Sequence, residues 1–162
     1  MVLGSRGTHQ NVMKKKNLQK LATFLAYGDL PKDVGFTMVK FAENVTRFAP
    51  ACGTAGCAVG FAPFAGIKKR TDEDFAQYSY RALININDSP SWNWCFSAGW
   101  ADPDNTPLGA AKRIQYLLDN GKVPDGFEED ISSHGNYIAD YQDVEIKNSP
   151  PTIKGNSNTR RN

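Results

Sequence analysis

The chain has 162 residues, 40% of them hydrophobic and 11% aromatic, enough for one domain with a real core. The formal net charge is +2, too small for a dedicated nucleic-acid binder, and no apolar run approaches the roughly 18 residues of a membrane span. A basic N-terminus with no apolar stretch behind it does not read as a secretory signal, and three cysteines, an odd and sparse set, predict a reducing compartment.

Charge is segregated along the chain. Residues 1–20 carry five basic side chains and no acid, residues 125–145 carry seven acids and no Lys or Arg, and residues 146–162 carry four basic groups and no acid. The stretch between them is neutral. This pattern predicts a basic arm at 1–12, a globular body at 13–124, and an arm at 125–162 that is first acidic and then basic.

Within the body, Leu18, Leu21, Phe24 and Leu25 form one helical face over about 13–27, with Lys14, Lys15, Lys16 and Lys20 on or near the wet side and Gly28 as the stop. Phe36 to Met38 fits either a short strand or part of a short helix reaching Asn44. Residues 52–66 hold no charge and mostly small side chains, which predicts a short buried helix at the fold centre, closed by Pro63 and Gly66. Thr71 with three acids behind it reads as a helix start for a segment carrying Phe75, Tyr78, Ala82 and Leu83. Ser89-Pro90-Ser91 opens a short turn or helix with Trp92, Trp94, Cys95 and Phe96, and 99–105 reads as a loop.

The best-marked element is a helix over 107–120. Thr106 and Pro107 start it, Leu108, Ala111, Ile114, Leu117 and Leu118 form its stripe, and Gly121 ends it. The expected fold is therefore mainly α: a small single globular domain around a buried small-residue helix, with room for a few short strands and flanked by extended arms.

Three landmarks occur in order: Cys-Gly-Thr-Ala-Gly-Cys-Ala-Val-Gly at 52–60, Trp-Cys-Phe-Ser-Ala-Gly-Trp at 94–100, and Asp-Asn-Thr-Pro-Leu-Gly-Ala-Ala-Lys-Arg-Ile at 104–114. Over roughly residues 17–124 the chain resembles a family of small, uncharacterised proteins found mainly in bacteriophages and some bacteria. The resemblance implies a phage or phage-related source, and hence a virion or a host cytoplasm. It carries no catalytic residues to transfer.

Cys52 and Cys57, five apart, with Cys95 and His134 offer four zinc-type ligands. A lone Cys and a His in an acidic segment lack the paired spacing of structural zinc sites, so buried small hydrophobes are expected, with no metal and no cofactor. A nucleophilic Cys52 or Cys95 needs a base, and His134 is the candidate; this small cysteine-dependent enzyme is the alternative reading. A second form of it is a site lined by Trp94, Trp100 and Asp104. Gly53-Thr54-Ala55-Gly56 lacks both glycine-rich phosphate-binding patterns. For binding, the candidates are Lys14, Lys15, Lys16, Lys68, Lys69, Arg70, Trp100 and Asp104, with nucleic acid only weakly supported by so few basic groups. The leading expectation is a non-enzymatic interaction protein, either a virion component or an accessory protein. It would bind a protein partner or neighbouring subunits of an assembly through its charged arms, with no membrane association.

Overall fold

A computed structural model describes residues 13–30, 34–36, 38, 54–127 and 131–147. Helix α1 spans Lys15–Tyr27, and its buried face is Leu18, Leu21, Ala22 and Leu25, the repeat of an amphipathic helix. Its start is tied down by neighbours far away in sequence. The Lys14 backbone N–H donates to the Leu83 carbonyl at 2.8 Å, Asn17 Nδ2 donates to the Ala82 carbonyl at 2.9 Å, and Met13 forms an antiparallel bridge with Ile84.

Two three-residue strands follow, β1 (Val34–Phe36) and β2 (Thr54–Gly56), paired in parallel with Val34 opposite Thr54 and Phe36 opposite Gly56. This corrects the expectation of one continuous helix across the small-residue stretch. Its glycines make it a poor helix former, and β1 supplies a partner for the backbone. The helical part, α2, is confined to Ala58–Phe61 and continues as a 3-10 turn over Ala62–Ala65, where Pro63 cannot extend an α ladder. Centrality is as expected: α2 is buried throughout and touches α1, helix α3 (Phe75–Ala82) and helix α4 (Ser89–Phe96). Phe61 stacks on Phe36 with ring centres 5.6 Å apart.

The N-cap of α3 is Asp74 rather than Thr71. Asp74 Oδ1 accepts from the Gln77 N–H at 2.8 Å while Gln77 Oε1 accepts from the Asp74 N–H at 2.9 Å, a complete capping box. The carboxylate of Glu73 is engaged elsewhere, on Arg81 and the Arg70 N–H. Asp88 caps α4. A 3-10 turn at Ala98–Ala101 then brings Trp100 against Trp94 with rings 5.4 Å apart and nearly perpendicular.

Helix α5 spans Pro107–Asn120, as the sequence predicts, with the Thr106 hydroxyl accepting from the Gly109 N–H at 2.9 Å and Gly121 in the left-handed region at φ 76°. Its buried face is Ala110, Ala111, Arg113, Ile114, Gln115 and Leu117. Leu108, expected on that stripe, is 47% exposed, because the face centres on 110, 114 and 117 and Leu108 lies off its edge. The main helix pair of the fold is α1 with α5, pinned by Gln19 Nε2 donating to Gln115 Oε1 at 2.7 Å.

Beyond Pro124 the structure departs from the sequence reading. A 3-10 segment at Ile131–Tyr137 and a last helical turn, α6 (Ile138–Tyr141), lie on the body, and Phe127, His134, Tyr141 and Ile146 enter the core. Gln115 Oε1 accepts from the Lys147 N–H at 3.0 Å, and the Thr23 hydroxyl donates to the Lys147 carbonyl at 3.0 Å. The body therefore extends to residue 147. Acid content misled because Asp125, Asp140, Asp143 and Glu145 all face water while the isolated aromatics between them turn inward. The arm residues 1–12 and 148–162 lie outside the described residues.

Candidate functional site

The nucleophile candidates come first. Cys52 lies outside the described residues. Cys57 and Cys95 are both free and buried. Burial pushes the Cys57 thiol up to about 11, even though the Gly60 and Val59 backbone groups favour its thiolate. Cys95 is raised further by burial, and the charged groups acting on it are Arg113 and Asp88. His134 is wholly buried, its ring 4.6 Å from that of Trp100 and 5.2 Å from that of Phe127. Neither described thiol is poised as a thiolate. Among the described residues no three His, Cys, Asp or Glu side chains converge in a way that would hold a metal ion.

Trp100 and Asp104 meet at a buried polar cluster whose central residue the sequence reading missed. The guanidinium of Arg113, on α5, is wholly buried and lies 4.2 Å from the centre of the Trp100 ring. Its Nη1 donates to the Tyr141 hydroxyl at 2.9 Å and lies 3.4 Å from Asp104 Oδ2, and the Tyr141 hydroxyl donates to the same carboxylate oxygen at 2.6 Å. Nε and Nη2 of Arg113 have no hydrogen-bond partner among the described residues. Burial lowers the Arg113 pKa, against the opposing pull of Tyr141 and Asp104, and burial raises that of Tyr141. Asp104 reaches this position because residue 109 is glycine: a Cβ there would stand 2.1 Å from Asp104 Oδ2.

Around the cluster, Trp94 is packed edge-on by Trp100, Phe127, Tyr137 and Tyr141, and its Nε1 donates to the Arg113 carbonyl at 2.9 Å. With Trp94 and Trp100 fully buried, neither ring offers a stacking face to a ligand. The cluster cements α4, α5 and α6. The signal for Arg113 was its register: it follows Ala110 by three and precedes Leu117 by four, on the buried face of a well-marked helix.

The basic candidates divide. Lys69 is half-buried, donating to backbone carbonyls of Arg70 and Glu73 and lying 5.0 Å from the Phe75 ring centre, while the Arg70 N–H binds Glu73. Lys68 is exposed nearby, and its carbonyl accepts from Arg81. This second basic run thus organises the turn ahead of α3. Lys14 is half-buried ahead of α1. Lys15 and Lys16, with Lys20, instead line an open groove of about 930 Å³ whose walls also include Phe24, Tyr27 and Leu118 and none of residues 68–70. Three ammonium groups and no carboxylate belong to the described residues that line it. Tyr27 is 42% exposed at its end. Apolar side chains and lysine heads lining the same groove fit an anionic, partly apolar ligand surface.

No family model, curated protein or solved structure matches this chain. Among the described residues, no helix is long and apolar enough to cross a membrane.

Proposed function

We propose that the chain is a non-enzymatic interaction protein of phage origin that engages a protein partner, or a neighbouring subunit of an assembly, in a virion or host cytoplasm. The observation that carries the reading is the groove on α1, which an exposed Tyr27, Phe24 and Leu118 line together with Lys15, Lys16 and Lys20. Exposed aromatics beside a concave apolar surface are the usual anchors of protein recognition. The groove takes over the role first assigned to the charged arms, since most of the acidic segment packs onto the body. Phage origin rests on the three sequence landmarks. Of the two candidate nucleophiles, Cys95 is disfavoured by its burial and raised pKa, and Cys52 lies outside the described residues.

A photo-crosslinking residue placed at Tyr27, expressed in phage-infected cells, tests the reading. A discrete adduct from position 27, absent from the same residue placed at the exposed Leu108, is the expected result. Equal labelling from both positions, or none from either, overturns it.

A further inference from the structure

The groove's chemistry narrows what it accepts. We infer that its occupant is an acidic segment of another protein carrying at least one large apolar side chain, an inference that rests on the groove being the binding surface. Charge complementarity is the first argument. Lys15, Lys16 and Lys20 bring three positive charges to the groove, and no described lining residue is acidic, so a neutral or basic segment would leave them unanswered. The second argument is the apolar part of the lining: Phe24 and Leu118 give a polar peptide nothing to bury, whereas an apolar anchor gains from displacing water there. Length agrees as well, since the thirteen residues of α1 span roughly 20 Å, room for about three turns of a partner helix.

The C-terminal tail does not suit the groove. Lys147 lies beside it, because Thr23, a lining residue, holds its carbonyl, and residues 148–162 follow Lys147 in sequence. That tail contains Lys154, Arg160 and Arg161 and no acid, so it is repelled by the groove lysines. Of the chain's acids, Asp125, Asp140, Asp143 and Glu145 belong to the segment packed against α5 and Trp94. A single nucleic-acid strand shares the negative charge, but the described lining residues include no arginine and only Phe24 and Tyr27 as aromatic rings, a thin stacking platform.

The experiment sorts a library of random 15-residue displayed peptides on the full-length protein and counter-sorts on the Lys16→Glu, Lys20→Glu double variant. Enrichment of peptides rich in Asp and Glu with a Leu, Phe or Trp, weakened at least tenfold by the double variant and by raising salt from 50 to 500 mM, is expected. Enriched peptides that are neutral or basic, yet lost on Leu118→Asp, leave the groove as a binding surface and overturn the acidic partner. Peptides that bind only after removal of residues 148–162 identify the tail as the occupant and overturn it too. An oligothymidylate bound more tightly than any peptide assigns the groove to nucleic acid. No selection sensitive to the groove substitutions overturns both the inference and the reading beneath it.

Discussion

Arg113 and Asp104 are joined twice, once directly at 3.4 Å and once through the hydroxyl of Tyr141, which accepts from Arg113 and donates to Asp104. Tyr141 is 28 residues from Arg113 and 37 from Asp104, so one hydroxyl fastens the last helical turn to both α5 and the loop ahead of it. Tyr141→Phe keeps the ring contacts with Trp94 and Trp100 and removes only that hydroxyl. Its expected cost is about 2 kcal/mol, from a buried guanidinium and a carboxylate left short of a partner. Urea unfolding measures it, and a loss below roughly 0.5 kcal/mol, the scatter of surface substitutions, contradicts the arrangement.

Gly109→Ala inverts a familiar sign. In an exposed helix interior the change stabilises by about 1 kcal/mol. Here the new Cβ falls 2.1 Å from Asp104 Oδ2 and expels the carboxylate from the Arg113 cluster. A loss of about 3 kcal/mol is expected, as for breaking a buried pair from one side. In an Asp104→Ala background the obstruction is gone, and the same substitution should become neutral or stabilising. Additive effects in the double variant would remove Asp104 from the explanation.

The thiols give a third test. In a Cys52→Ser protein the remaining Cys57 and Cys95 are buried with raised pKa values, so Ellman's reagent at pH 8 should label the native protein only as fast as it unfolds. Both react at once in urea. Prompt labelling of either thiol in the native state would contradict its burial and restore that thiol as a candidate nucleophile.

Acid exposes the ion pair beside α3. Both oxygens of Glu73 accept from Arg81, at 2.6 and 2.9 Å, and this pairing holds the Glu73 carboxyl down at about 2 from an ordinary 4.5. A depressed carboxylate contributes stability that is complete above the unfolded pKa and is lost as pH falls through the folded one. Wild type should therefore exceed Glu73→Gln by about 1 kcal/mol at pH 7, with Arg81 partly exposed, and the gap should close between pH 4.5 and 2. A gap that is constant over that window would show that the glutamine acts through something other than charge.

These tests fall on features of unequal legibility. Helix α5 was readable to the residue because capping is local: Thr106, Pro107 and Gly121 each act on the nearest backbone groups. Helix α1 was readable from its period alone. The small-residue stretch was placed correctly at the centre and is helical over its second half, but Thr54–Gly56 pairs as a strand, since pairing with Val34–Phe36 is a long-range event that glycine-rich sequence permits without announcing. The segment after Pro124 was missed for a different reason. Phe127, Ile131, His134, Ile138 and Tyr141 do recur at a helical spacing, but the acids between them dominate the composition and masked it. Arg113 was legible in principle by register, and was passed over because a charged residue is assumed to face water. Of the groove lysines, Lys15 and Lys16 were binding candidates from the sequence and Lys20 was not, whereas Phe24 and Leu118 pack against the core as their helical stripes predict and also line the groove.

The fastening of Lys147 to Thr23 and Gln115 has a consequence for how the protein is made. A chain growing from its N-terminus displays α1, α4 and α5 before the rings that cover Trp94 exist. At roughly 5–20 residues per second the ribosome leaves that aromatic face bare for on the order of seconds, until Ile146 emerges. Through that interval the newborn protein is a client for whatever shields apolar surface in the cell, and a message cut short before codon 147 would keep it one.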